Sequence, residues 1–159
     1  VAAAAGPAAA GAGSWWWPVP GAVVAEFDPP DPDWLPGHRG IDLAAPPGTP
    51  VVAVRAGQVV LADRVAGAPP VVLQHGVVRS TYPPVADAPP VGTPIARGEA
   101  IGVTADAGGH CAGMCLHWGA RLDDRYIDHQ ADSALRPARN CMTALVCSCE
   151  ARDSVTPRT

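Results

Sequence analysis

Three side chains in this sequence have the types and spacing to do chemistry: His38 and Asp42 in Gly37-His38-Arg39-Gly40-Ile41-Asp42, and His117 in Cys115-Leu116-His117-Trp118-Gly119. Two imidazoles and one carboxylate suit a borderline divalent ion such as zinc, and three protein ligands leave the fourth tetrahedral position open for water. A closed four-ligand site would be structural, whereas an open one can react. His38 and Asp42 are four residues apart, but Gly37, Gly40 and the neighbouring prolines argue against a helix. In an extended strand, residues four apart lie roughly 13 Å from each other. The chain must therefore bend between the two ligands, and Gly40 is the residue that permits it. His117 has to come from a distant strand, so a metal would tie two remote segments together.

The elements that position these residues read as strands. Pro50–Arg55 and Gln58–Val65 flank Ala56-Gly57 and are rich in valine. Pro70–Gln74 and Val77–Tyr82 read as a hairpin turning at His75-Gly76, which makes His75 a structural or exposed turn residue. Residues 83–94 are dense in proline and read as a loop at the site rim. Ala96–Gly98 is a turn before Ala100–Thr104, and Leu116–Leu122 completes the sheet. No segment from Trp15 to Asp128 keeps helical periodicity over ten residues. The expected fold is all-β, a compact antiparallel domain that is barrel-like or sandwich-like. Trp15, Trp16, Trp17 and Trp34 read as core or edge-covering packing.

With 159 residues the natural count is one domain. All 11 basic residues are arginine, and 17 glycines with 19 prolines favour short strands and turns over long helices. A net charge of −4 gives no basic footprint, which argues against nucleic acid as a partner. Residues 1–25 carry no charged side chain, yet Pro7, Pro18 and Pro20 interrupt them and alanine and glycine replace leucine, so stable membrane insertion is not expected. Residues 1–14 read as a flexible leader, residues 15–129 as the folded domain, and residues 130–159 as a disordered tail holding Cys141, Cys147 and Cys149. No role is assigned to His129, and Arg39 reads as a solvated neighbour of the first ligand.

Gly37–Val51, Val54–Val60, Ile95–Gly102 and Cys115–Arg121 occur in an order that resembles the lysostaphin-like (LytM-type) metallopeptidases, from about Trp15 to Asp128. The first of these segments is similar to that family's first zinc motif and the last to its second. The resemblance implies a Zn(2+)-dependent endopeptidase that cuts peptides of bacterial peptidoglycan. It also implies a secreted or cell-wall-associated location and the three metal ligands already named.

Two positions depart from the family pattern. The second motif usually reads His-x-His, with the first histidine assisting the reaction; here that position is Cys115. A Thr-Tyr-Ala-His segment usually supplies another catalytic histidine; here it reads Thr81-Tyr82-Pro83-Pro84. General acid–base assistance is worth about 10²–10⁴ in rate. The alternative function is therefore a degenerate, non-catalytic domain that binds wall peptides or regulates a partner wall hydrolase. Cys115 is open to three fates: a fourth zinc ligand in a structural site, a reactive thiol, or half of a disulfide. In an exported protein a Cys111–Cys115 disulfide is the expected one. His110, beside Cys111, is the candidate substitute base, and Tyr82 is a candidate hydrogen-bond donor to the developing oxyanion.

Overall fold

The computed structural model describes residues 15–32, 34–62, 70–106 and 114–128. The proposed leader (1–14), the tail (130–159), His110 and Cys111 lie outside them. Among the described residues there is no helix, and eleven strands follow in order: β1 (Val23–Ala25), β2 (Ile41–Ala44), β3 (Pro50–Val52), β4 (Gly57–Ala62), β5 (Val71–His75), β6 (Val78–Tyr82), β7 (Val85–Ala86), β8 (Pro94–Ile95), β9 (Ala100–Thr104), β10 (Cys115–Leu122) and β11 (Arg125–Tyr126).

The larger sheet has the order β1-β2-β10-β6-β5-β4-β8, with β11 also pairing with β10. A smaller sheet has the order β3-β9-β7, and every strand pair in both is antiparallel. The larger sheet is an open path rather than a closed cylinder, so the fold is all-β and sandwich-like. Its strands are short because turn residues interrupt them. At the β5–β6 turn His75 faces Val78, and Gly76 takes φ +67°, a conformation suited to a two-residue hairpin loop. The proline-rich segment 83–94 is not a plain loop. Val85 is buried, and β7 pairs with β9 there.

The register of β10 decides which side chains meet. Leu116 and Trp118 stand opposite Leu43 and Ile41 of β2, and Ala120 stands opposite Ser80 of β6. These residues are all fully buried and belong to the core face. Because side chains alternate along a strand, Cys115, His117, Gly119 and Arg121 lie on the other face. There His117 pairs with Asp42 and Gly119 with Thr81. Trp15 packs on Trp118 with ring centroids 6.4 Å apart, and Trp17 meets the same indole edge-on at 5.9 Å. Trp16 instead carries Arg97 over its ring. Trp34 departs from the packing role expected of it: it is 83% exposed.

The core face also contains a polar chain. His75 ends β5 and is buried, so of the two roles expected for it, structural or exposed, it takes the structural one. Its Nδ1 lies 3.0 Å from the Ala56 carbonyl, and its Nε2 lies 2.6 Å from Ser80 Oγ, itself 2.7 Å from Tyr82 Oη. A carbonyl only accepts, so Nδ1 carries the proton and Nε2 accepts from the serine hydroxyl. Burial lowers the His75 pKa below its ordinary value. The folded state thus binds fewer protons than the unfolded state, where the imidazole titrates near about 6.5. The stability contributed by keeping His75 neutral is present above that pH and is lost as pH falls from there toward the depressed folded value. Urea titrations at pH 7.5 and 5.5 should give His75→Gln a lower stability at the upper pH but a smaller loss on acidification than wild type. Equal losses would show that His75 does not govern the acid limb.

Candidate metal centre

His38 lies just before β2 in a short extended stretch. It forms an isolated antiparallel bridge with Asp28, with backbone hydrogen bonds of 2.8 and 2.9 Å. The bridge brings the strand-like segment 26–28 alongside, and His38 Nδ1 donates to the Glu26 carbonyl. This leaves Nε2 as a lone-pair donor aimed inward. Such an outer hydrogen bond fixes the tautomer and ring orientation of metal-binding histidines. Asp42 sits between the buried Ile41 and Leu43 and is itself only 1% exposed. A carboxylate so placed is costly unless cations or donors face it.

His117 completes the group from β10. His38 Nε2 lies 3.0 Å from Asp42 Oδ1 and 3.1 Å from His117 Nδ1, and His117 Nδ1 lies 2.8 Å from Asp42 Oδ1. Three electron-pair donors therefore form a triangle with nearly equal edges. The imidazole rings are set at 66° to each other, and the two histidine side chains are 20% and 22% exposed. The site is thus buried at the carboxylate and reachable by solvent at the imidazoles. Donors this close repel unless a proton or cation lies between them. Zinc bonds to nitrogen and oxygen of about 2 Å can be made to all three from one point beside the triangle. The donor set and its convergence fit a divalent ion, and these three residues are the group that can hold one among those described.

Gly40 serves the site in a way that differs from the expected bend. Its backbone is not left-handed. A Cβ built on it would lie 2.5 Å from the Trp118 carbonyl oxygen and 2.6 Å from His117 Nε2. The missing side chain makes room for the imidazole ring and lets the loop approach β10.

The other expected site residues fall elsewhere. Tyr82 is fully buried and lies on the core face of β6, with Ser80, while His117 lies on the opposite face of the same sheet. Burial raises its pKa above the ordinary value, and its hydroxyl is engaged by Ser80. Tyr82 is therefore a core residue, and the reading of it as an oxyanion donor is corrected. Cys115 is disulfide-bonded, so its sulfur is not a thiolate ligand and the four-ligand structural site loses its fourth member. Its expected partner Cys111 and the candidate base His110 lie outside the described residues. The Glu26 carbonyl was missed by sequence reasoning, because backbone acceptors leave no mark in residue type.

Residues 36–129 match Peptidase family M23, and the chain belongs to that family. It is 47% identical over 108 residues to the uncharacterized protein Rv2891 of Mycobacterium tuberculosis, covering 65% of this chain and 43% of that one. The chain thus spans less than half the length of the curated relatives it matches. Among solved structures, a zinc-containing peptidase from Vibrio cholerae is 24% identical with a TM-score of 0.59, over 75% of this chain and 37% of that one. SpoIIQ, in its complex with SpoIIIAH, is 20% identical with a TM-score of 0.61, over 72% of this chain and 96% of that one. At these identities the two structures show a shared fold.

Proposed function

We propose that the domain is a zinc-dependent metalloendopeptidase that hydrolyses peptide bonds of bacterial cell-wall peptidoglycan outside the cytoplasm. The observation that carries this reading is the triangle of His38 Nε2, Asp42 Oδ1 and His117 Nδ1, partly open to solvent, in a chain of the M23 family. Zinc held there would supply a Lewis acid for the scissile carbonyl and lower the pKa of a water toward about 7. The protein's share is to fix the donors: the Glu26 carbonyl orients His38, the core holds Asp42, and Gly40 seats His117. The disulfide at Cys115 is consistent with an oxidising compartment. Among the described residues no helix is long and apolar enough to cross a membrane.

The test is digestion of purified peptidoglycan, with new amino groups counted by mass spectrometry. Expected are peptide-bond cleavage by the wild type, loss on chelation and recovery with zinc. A second reading, a non-catalytic domain that binds wall peptides or a partner wall hydrolase, is favoured by Cys115 and Pro84 standing where assisting histidines are usual. One equivalent of bound zinc without any cleavage would select it.

A further inference from the structure

Beside the metal centre, the same face of β10 continues from His117 across Gly119 to Arg121. The floor at Gly119 has no side chain, and the Arg39 carbonyl lies over it: a Cβ built there would be 3.4 Å from that oxygen. Arg39, the residue after the first ligand, and Arg121 both place their guanidinium groups on the Tyr126 ring, 5.9 and 5.0 Å from its centroid. Tyr126 pairs with Arg121 across the β10–β11 ladder. A groove of about 110 Å³ opens here, lined by Pro29, Pro30, Arg39, Asp124, Arg125 and Tyr126.

Three of the chain's 11 basic residues thus converge at one end of the site in a protein of net charge −4. Two cations sharing one aromatic ring repel each other. Arg39 Nη2 donates to the Leu35 carbonyl at 2.9 Å and Arg121 Nη2 to the Asp124 carbonyl at 3.2 Å, neutral acceptors that orient the guanidiniums without cancelling their charge, as a bound anion would. Arg121 Nη2 is 3.4 Å from Asp124 Oδ1, but that carboxylate is fully exposed and a contact of this kind contributes little. The groove lining carries two arginines, Arg39 and Arg125, and one carboxylate, Asp124, while Arg121 borders it through the shared Tyr126 ring. The Arg121 and His117 backbones are four strand residues apart, roughly 13 Å, or about three to four residues of an extended peptide.

We infer that Arg39, Arg121 and Tyr126 form a carboxylate-binding subsite that selects peptides carrying an acidic group a few residues from the metal centre. This rests on the reading that the site binds peptides, and its test needs no turnover. Binding to the full-length chain is measured by calorimetry with three synthetic peptides: Ala-Gln-Ala-Ala as the free acid, the same peptide as its C-terminal amide, and Ala-Glu-Ala-Ala-amide. Wild type should bind at least one of the two carboxylate-bearing peptides about tenfold more tightly than the uncharged amide, as expected for a charge-assisted pair with arginine. Which of the two it favours tells a terminal from a side-chain carboxylate. Arg121→Gln should erase the preference, and so should Arg39→Gln; either variant suffices if the other fails to fold. Failure of wild type to prefer a carboxylate, absence of binding by all three peptides, or a preference that survives both substitutions would overturn the subsite. Cleavage is not read, so the subsite is tested even if the domain is inactive, and an active domain without carboxylate preference refutes the subsite alone.

Discussion

Asp42→Ala is expected to remove the stabilisation that zinc gives to the folded chain. Zinc at a thousandfold excess over its Kd stabilises a protein that binds it only when folded by about 4 kcal/mol. The ion would join the loop at His38, β2 and β10, segments up to 79 residues apart in sequence. Losing only an outer hydrogen-bond partner of a metal ligand typically costs roughly 10–100-fold in affinity, and losing a ligand should cost at least about 100-fold. The apo proteins can differ in either direction, because the substitution also removes a buried carboxylate. The informative quantity is therefore the gap between melting temperatures with and without zinc. That gap should be large in wild type and small in Asp42→Ala and His117→Ala. Zinc retained at one equivalent after dialysis of the Asp42→Ala protein would refute the assignment.

The second large effect is expected at Gly40, a residue that contributes no ligand atom. An added methyl group would meet the Trp118 backbone oxygen at 2.5 Å and the His117 ring at 2.6 and 2.8 Å. The backbone oxygen cannot give way without moving β10, and the imidazole can give way only by leaving the triangle. Overpacking of this kind typically costs about 1–3 kcal/mol. Gly40→Ala should therefore lower thermal stability and zinc affinity together. Gly119→Ala is the matched control: its added Cβ would meet nothing closer than 3.4 Å, an ordinary contact. Both variants melting and binding zinc alike would show that Gly40 is not what seats His117.

The family resemblance reached from residues 37–51 and 115–121 holds, because His38, Asp42 and His117 occur in motifs whose order and spacing are themselves the signal. The all-β class was also legible, since Val-rich runs broken by glycine and proline make short strands and little else. Tyr82 was misread for a physical reason. Nearness in sequence to a motif position does not say which face of a strand a residue occupies, and one step along β6 separates the site face at Thr81 from the core at Tyr82.

What the sequence alone determined about this protein is a candidate set of metal ligands, their order along the chain, and a fold class that can bring remote strands together. Only the tertiary structure decided the rest. The register of β10 against β2 sets His117 opposite Asp42, the backbone carbonyl of Glu26 fixes the His38 ring, and Gly40 gives up its side-chain volume to His117. The same register carries Arg121 to the ring that Arg39 also meets. These are relations across space, made by backbone atoms, absent side chains and alternation along strands, and none of them has a signature in residue type or local spacing.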